Sequence, residues 1–252
     1  MNSRSLIRSI LYFIVVILLL AGFKFASVYQ RAFKPNIHTP GGNIFHLYIY
    51  TGSDYSQVLD TIYKHKLVKN KKSFEWIAKK KKYDSKVRPG RYRVTDNMSN
   101  NAFVNMLRSG MQEPVNLVIN IARTTDDLAL RLSAQIEPSN RDLNALMNDE
   151  SYLSQFGFNK QTVLGMFIPN TYQLWWNIGG VDLFKRMYRE YNKFWNDDRL
   201  AKAREIKLKP NEVITLASIL INETNKEDEY KRIAGVYINR QFFCIRPPYW
   251  FR

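Results

Sequence analysis

The N-terminal thirty residues constrain the fold of this chain most, because they contain an apolar run long enough to cross a lipid bilayer. Residues 6–29 are interrupted only by Arg8, Ser9, Lys24 and Ser27. A membrane-spanning helix needs about 20 mainly apolar residues, and a lysine or arginine near its ends can reach the polar interface. The run therefore predicts a transmembrane helix over residues 6–29, preceded by a cytoplasmic tail at residues 1–5.

Positive charges at the start of the run predict its orientation. Arg4 and Arg8 lie on its N-terminal side, so the positive-inside rule places the N-terminus in the cytoplasm and the rest of the chain outside. A cleavable signal peptide is the alternative. We favour an uncleaved, single-pass anchor in the cytoplasmic (inner) membrane, because the apolar core is longer than that of a usual signal peptide and no clear Ala-x-Ala site follows it.

The positive charge of the chain limits the kinds of molecule that it is expected to bind. Its net charge is +16, and a run of lysines occupies residues 79–82. A strongly basic domain often binds nucleic acid, but an exported domain is better matched to anionic lipid headgroups or acidic cell-wall polymer. A solvated surface is the alternative for most of these lysines. We therefore predict no nucleic-acid partner.

The chain has one cysteine, Cys244. A single cysteine excludes a disulfide framework, so the exported part must be held by packing.

The next segment predicts a small subdomain. Proline and glycine residues mark residues 30–43 as a linker. Residues 44–110 then alternate as a strand, follow helical spacing twice, and alternate again, which predicts a strand–helix–helix–strand order closed by a further helix. The positions that carry these patterns are Phe45, Leu47, Ile49, Val58, Ile62, Ser73 as a helix cap, Tyr92, Val94 and Met98-Ser99.

The remainder predicts a mixed α+β domain over residues 111–240. Apolar residues alternate from Val115 to Ile121 as in a strand, and Thr125 is placed to cap the helix after it. A long helix is predicted around residues 184–195. Together with the preceding segments, this gives an α+β protein with an N-terminal transmembrane helix.

The segment 217–240 predicts two helices joined by a polar turn. Pro210 and Glu212 suit the first turn of the first helix. Glu223 continues the apolar stripe of Leu216 and Leu220, so we expect its carboxyl group to be desolvated, which favours the protonated form that a general acid needs. The alternative is a glutamate at a helix end that reaches water and has no role.

The second helix of this segment carries a glycine inside it. Ile233, Val236 and Tyr237 are predicted to face inward, with Asp228 and Glu229 near the helix start. Gly235 lowers helix stability by roughly 1 kcal/mol relative to alanine. We therefore expect Gly235 to permit close packing against the neighbouring helix.

Two motifs resemble those of the endolytic murein transglycosylases, which are membrane-anchored lytic enzymes. The first is A-S-I-L-I-N-E-T at residues 217–224, followed by I-A-G-V-Y-I-N-R at residues 233–240. The second is G-M-F-I-P-N-T-Y-Q-L-W-W at residues 165–176. Many members carry an acid two positions before the motif glutamate, where this chain has Ile221, so Glu223 is the only acid on its helix after Glu212.

The resemblance implies a fold and a site. It implies that residues 44–110 form a LysM-like βααβ subdomain and that residues 111–240 form a partial catalytic domain. It also implies that Glu223 is the catalytic residue. Weaker candidates for substrate binding are Asn170, Tyr172, Trp175, Trp176 and Asn239. The aromatic residues among them suit sugar rings, although aromatics at this spacing more often belong to a core.

The resemblance further implies cleavage of the β-1,4 bond between N-acetylmuramic acid and N-acetylglucosamine in nascent peptidoglycan, with 1,6-anhydro product and termination of strand elongation. One carboxyl group suffices, so no metal or organic cofactor is expected, and the histidines lack metal-site spacing. The implied partners are peptidoglycan glycan strands and the peptidoglycan synthases. The competing interpretation is a non-catalytic, membrane-anchored peptidoglycan-binding protein.

Residues 241–252 depart from the family pattern. The segment Q-F-F-C-I-R-P-P-Y-W-F-R has no helical or strand period and carries five aromatic residues. It is typical of translation in a wrong reading frame, and a divergent ending is the alternative. We expect a truncated, aggregation-prone product of low activity, because loss of the family's segment after the motif would uncover the apolar face around Glu223.

Overall fold

The structure, a computed structural model, describes residues 3–224 and 226–244. It divides into two compact units. The first comprises Met1–Val115 and Gln173–Asn177, and the second comprises Asn116–Tyr172 and Ile178–Arg252. Helices and two small sheets occur together, so the predicted α+β class is confirmed.

The first unit begins with a long apolar helix. Its elements are α1 (Ser3–Phe33), β1 (Phe45–Ile49), α2 (Tyr55–Lys64), α3 (Lys71–Lys80), β2 (Gly90–Val94) and α4 (Asn100–Ser109). Within α1, the 21 residues Phe13–Phe33 have a mean hydropathy of 2.0 and are not buried. This helix has the length and composition of a membrane span, and a signal sequence meets the same criteria. It extends beyond the predicted residues 6–29 at both ends.

Part of the predicted linker belongs to the core of the first unit. Ala32 and Ile37 are buried. The side chain of Asn36 donates a hydrogen bond of 2.7 Å to Asn100 Oδ1 and accepts one of 2.8 Å from the backbone N–H of Asn70. The predicted linker at residues 30–43 therefore contributes Ala32, Asn36 and Ile37 to the buried part of the first unit. Proline and glycine indicate irregular backbone, but irregular backbone can still be buried when its polar groups are paired.

The predicted strand–helix–helix–strand order is present after this segment. Strands β1 and β2 pair antiparallel, with Phe45 opposite Val94 and Ile49 opposite Gly90. Helix α3 is capped by Asn70, whose side chain accepts a hydrogen bond from the backbone N–H of Ser73, whereas Ser73 itself was the predicted cap. The likeness of this subdomain to LysM modules stays a prediction. The fully buried residues of its core include Leu47, Ile62, Leu67, Phe74, Tyr83, Tyr92, Phe103 and Leu107.

The second unit is mainly helical. Its elements are α5 (Thr125–Ser133), α6 (Asn140–Met147), α7 (Glu150–Ser154), α8 (Gly180–Phe194), α9 (Asp197–Glu205), α10 (Pro210–Glu223) and α11 (Tyr230–Cys244). Strands β3 (Val115–Ile119) and β4 (Asn170–Leu174) form a two-stranded sheet. The cap of α5 is Thr124, one residue before the predicted Thr125. Helix α8 buries Leu183, Phe184 and Met187 along one face, as its amphipathic spacing predicts.

Helix α11 also corrects the prediction for the end of the chain. The segment 241–252 is predicted to lack helical structure, yet α11 continues through Cys244. The rest of that segment, residues 245–252, lies outside the described residues.

Candidate active site around Glu223

Helix α10 carries the first motif and begins where the sequence predicts. Pro210 occupies its first turn, where a missing backbone N–H costs nothing. The carboxylate of Glu212 accepts a hydrogen bond of 2.6 Å from the backbone N–H of Lys209. This bond satisfies one of the free N–H groups at the helix N-terminus and places a negative charge at the positive end of the helix dipole.

Two contacts in the second unit hold the N-terminal half of α10. Tyr191 of α8 donates a hydrogen bond of 3.0 Å from its hydroxyl to Asn211 Oδ1. Gly165, the first residue of the second motif, lies against Ile214, because a Cβ added at Gly165 would be 3.4 Å from that side chain. The two family motifs therefore meet at Gly165 and Ile214.

The polar turn after α10 is also held by hydrogen bonds. Thr224 leaves the helix in an extended conformation. Its hydroxyl donates a hydrogen bond of 2.8 Å to Glu229 Oε2 and accepts one of 3.1 Å from the backbone N–H of Lys226. Arg232 lies 3.6 Å from Glu229. These contacts fix the path of the chain between the two motif helices.

Glu223 is the last residue of α10, and its carboxyl group contacts the second motif helix. Tyr237 of α11 donates a hydrogen bond of 3.0 Å from its hydroxyl to Glu223 Oε1. The two halves of the first motif are thus joined at the predicted catalytic residue. The helical spacing of Tyr237 from Ile233 predicts that it lies on the inward face of α11, but this spacing predicts no role for it.

The environment of Glu223 differs from the predicted one. The residue is exposed, and no residue of α10 is buried within the part of the chain that the structure describes. Val236, predicted to face inward, is 46% exposed. The prediction that the carboxyl group of Glu223 is desolvated is therefore wrong for the described residues, whereas an uncovered apolar face is what the departure of residues 241–252 from the family pattern leads us to expect. Helical spacing identifies which side chains share a face, but not whether another element covers that face.

Gly235 does not mark a close helix contact. A Cβ added at Gly235 would meet no heavy atom within 4 Å among the described residues. The predicted close packing at Gly235 is therefore wrong.

The weaker candidates are distributed over both units. Asn170 is exposed at the start of β4, and its side chain accepts a hydrogen bond of 2.7 Å from the backbone N–H of Thr171. Tyr172 is buried, its hydroxyl donates to the backbone oxygen of Ile168 at 2.6 Å, and burial raises its pKa. Asn239 is exposed on α11. Tyr172 therefore has the environment of a core residue.

The two tryptophans of the second motif differ from each other. Trp175 is 52% exposed, whereas Trp176 is 7% exposed. Both belong to the first unit. The ring of Trp176 packs edge-on against Tyr48 and Tyr50, at centroid distances of 4.9 and 5.1 Å. Of the predicted aromatic candidates, Trp175 is the one that is exposed.

Comparison with known proteins identifies the family. Residues 47–241 match the sequence model of the YceG-like family. The chain belongs to the YceG-like family. The predicted resemblance is thereby confirmed, and the matched range includes both motifs and the pair Glu223–Tyr237.

Individual relatives of this YceG-like protein are distant. The endolytic murein transglycosylase of Bacillus subtilis (strain 168) is 22% identical over 233 residues, which are 85% of this chain and 64% of that protein. The chain thus spans less than two thirds of that relative. A crystal structure of a yceG-like protein from Listeria monocytogenes is 21% identical, with a TM-score of 0.47, and the match covers 78% of this chain and 70% of that one.

Proposed function

We propose that this YceG-like protein is a lytic transglycosylase that cleaves the β-1,4 bond between N-acetylmuramic acid and N-acetylglucosamine in peptidoglycan. The observation that carries the proposal is the hydrogen bond from Tyr237 to Glu223 Oε1, which brings both halves of the first motif to one carboxyl group. Family membership and the name of the B. subtilis relative support the substrate class.

The proposed mechanism needs one carboxyl group. Most glycosidases use two, one to protonate the leaving oxygen and one as base or nucleophile. Here Glu223 would protonate the bridging oxygen as the bond from that oxygen to C1 of N-acetylmuramic acid breaks. The C6 hydroxyl of the same sugar would then attack C1, and its proton would pass to the Glu223 carboxylate. Attack by a tethered hydroxyl has the advantage of high effective molarity, and the product is a 1,6-anhydro sugar.

Tyr237 has a positioning role in this mechanism. Its hydroxyl bonds Oε1 of Glu223, which leaves Oε2 to exchange the proton with the glycan. Trp175 of the first unit is exposed and is proposed, independently of the Glu223 site, as a surface on which a sugar can stack. Asn170 and Asn239, both exposed, are proposed hydrogen-bond partners for sugar hydroxyl groups. The substrate-binding roles of Tyr172 and Trp176, which are buried, stay predictions.

The location proposed for this activity is the outer face of the cytoplasmic membrane. Helix α1 would act as a single-pass anchor with its N-terminus inside. A catalytic part held near the membrane would meet newly made glycan strands, so strand termination is the proposed role and peptidoglycan synthases are the proposed partners.

Glu223→Gln tests the catalytic assignment, because it keeps the shape of the side chain and removes the titrating proton. The measurement is the yield of anhydro-muropeptides by mass spectrometry after digestion of purified peptidoglycan. We expect the yield to fall by about 10²–10⁴. Glu227→Gln is the matched control, since Glu227 is exposed in the adjoining turn. Equal yields from Glu223→Gln and the parent would overturn the assignment.

A non-catalytic peptidoglycan-binding protein is the second candidate, and two observations favour it. Glu223 is exposed, and the first unit contains a separate groove of about 290 Å³. Tyr48, Tyr50, Gln57 and Thr61 are among the residues that line this groove, and aromatic rings with hydroxyl and amide groups suit sugars. Retention of the chain on insoluble peptidoglycan, lowered by Gln57→Ala and with no anhydro product from the parent, would support this candidate over the enzyme.

A further inference from the structure

One face of α3 is basic and carries a tryptophan. Lys72, Trp76 and Lys80 follow one another at intervals of four residues, and Lys79 lies three residues after Trp76. Side chains at these spacings share one side of a helix. The three lysines are exposed and Trp76 is half-buried, whereas Phe74, Ile77 and Ala78 of the same helix are buried. We call Lys72, Trp76, Lys79 and Lys80 the α3 basic face.

The α3 basic face adjoins the C-terminal end of α1. The guanidinium carbon of Arg31 lies 5.6 Å from the centroid of the Trp76 ring, and Lys80 Nζ lies 5.9 Å from it. The side chain of Asn100 donates a hydrogen bond of 2.9 Å to the backbone oxygen of Arg31. Asn100 in turn accepts a bond from Asn36. The end of α1 is therefore fixed to the first unit by buried, paired polar groups, and it is not joined to it by a free linker.

This junction lies at the edge of the apolar helix. The apolar segment runs from Phe13 to Phe33, so Arg31 is in its last turn. Tyr29 and Phe33 are exposed there, with ring centroids 5.1 Å apart. Aromatic residues gather at the level of lipid headgroups at both ends of membrane spans. If α1 spans the membrane as proposed, Trp76 and the neighbouring lysines come to the same level.

Helix α3 itself carries little negative charge. Glu75 is the only acidic residue of α3. Its carboxylate accepts a hydrogen bond of 2.6 Å from the Tyr63 hydroxyl of α2, and Lys71 lies over the same tyrosine ring at 4.1 Å. The one carboxylate is thus directed to α2, and the α3 basic face keeps its positive charge.

We propose that the α3 basic face, together with Arg31, binds anionic lipid headgroups of the membrane that α1 enters. The proposal rests on the anchoring role of α1 and not on catalysis by Glu223. The lysines would attract the anionic surface and Trp76 would enter the headgroup region. Because the end of α1 is fixed to the first unit, this contact would set the orientation of the first unit on the membrane.

The test uses the full chain reconstituted in vesicles of phosphatidylcholine with brominated acyl chains, which quench nearby tryptophans, with and without phosphatidylglycerol. The contribution of Trp76 is the difference in quenching between the parent and Trp76→Phe. We expect this contribution to increase with phosphatidylglycerol and to disappear in about 0.5 M salt, where charges are screened over a few ångströms. Each lysine near an anionic surface changes the ratio of membrane-bound to unbound α3 basic face about fivefold. The triple variant K72Q/K79Q/K80Q should therefore lower this ratio about a hundredfold.

The matched control is K160Q/K185Q/K193Q, which removes the same charge from exposed lysines of the second unit and should leave the quenching unchanged. Quenching of Trp76 that is independent of phosphatidylglycerol, or equal in the two triple variants, would overturn the proposal while α1 remained an anchor. Extraction of the chain from the vesicles by alkaline carbonate would overturn the anchor and this proposal together. Neither result bears on Glu223, whose activity is measured separately.

Discussion

Tyr237 on α11 donates a hydrogen bond of 3.0 Å to Glu223 Oε1 at the end of α10, although 14 residues separate the two in the sequence. The polar turn between the helices, held by the bond from Thr224 to Glu229, makes this contact possible. A carboxyl group at an exposed helix end has several accessible orientations, and the hydrogen bond from the Tyr237 hydroxyl selects among them. The pair is therefore the central feature of the proposed active site.

Tyr237→Phe removes this hydrogen bond and retains the ring. We expect the rate of anhydro-muropeptide release to fall about tenfold, because a mispositioned general acid loses part of the 10²–10⁴-fold contribution expected of that group. The loss should appear in kcat more than in KM, since the glycan itself does not touch Tyr237 in the proposed mechanism. Tyr230→Phe, on the same helix and likewise half-buried, is the control. Equal kcat values for the two variants would contradict a positioning role.

The elements that carry the site were largely predictable from the sequence. The start of α10 at Pro210 and Glu212 follows from helix-capping chemistry, and the strand–helix–helix–strand order of the first unit follows from periodicity. Both depend on residues close together in the sequence, and such local signals are what periodicity and capping can detect. The two helices that flank Glu223 are therefore predictable from the sequence, whereas the groups that surround it are not.

The surroundings of the site depend on contacts between residues that are far apart in the sequence. The paired amides of Asn36 and Asn100 are 64 residues apart, and no local pattern predicts that they bury the segment after α1. The exposure of Glu223 and the open space at Gly235 are likewise tertiary properties. An apolar stripe and a helical glycine each indicate that a contact can form, and only the structure says whether it does.

A glycine inside a helix is usually interpreted as a site of close helix packing, and Gly235 gives a prediction that contradicts this interpretation. It lies inside α11, with no heavy atom within 4 Å of an added Cβ among the described residues. Gly235→Ala should therefore raise the free energy of unfolding by about 0.5–1 kcal/mol, because alanine favours the helix. Urea unfolding of the detergent-solubilised chain measures the change. A loss of stability would mean that another element packs on Gly235, and a loss of activity alone would mean that substrate approaches it.

The anchoring role of α1 gives a prediction of topology. The apolar segment Phe13–Phe33 is unburied, so we expect the chain to stay in the membrane after a carbonate wash. Protease added from the outer face of the cytoplasmic membrane should reach residues beyond Lys34 and not the N-terminus. Recovery of a soluble form that starts near residue 30 would instead show that α1 is a cleaved signal sequence.

Tyr83 gives a prediction for the core of the first unit. It is fully buried, and its hydroxyl has no hydrogen-bond partner among the described residues. A buried hydroxyl without a partner is costly, so Tyr83→Phe should raise the free energy of unfolding by about 1 kcal/mol. Tyr92→Phe is the matched control, because Tyr92 is equally buried but donates a bond of 2.8 Å to the backbone oxygen of Arg88. The control should lower the free energy of unfolding by a similar amount. Destabilisation by both variants would show that Tyr83 has a partner, such as a bound water.

Tyr83 and Tyr92, together with the half-buried Tyr55, predict that stability is lost in alkali. Burial raises the pKa of Tyr83, and it raises those of Tyr55 and Tyr92 to about 12, from an ordinary value of 10.0. The unfolded chain then loses these protons first, so the folded state binds more protons and the free energy of unfolding falls as the pH rises. The stabilisation should be complete below about pH 10 and be lost as the pH rises through about 12. Thermal melts across this range should show the melting temperature falling from about pH 10 in the parent and less steeply in Tyr83→Phe, which has one titrating group fewer. An identical slope in both proteins would contradict the role of Tyr83 in this loss.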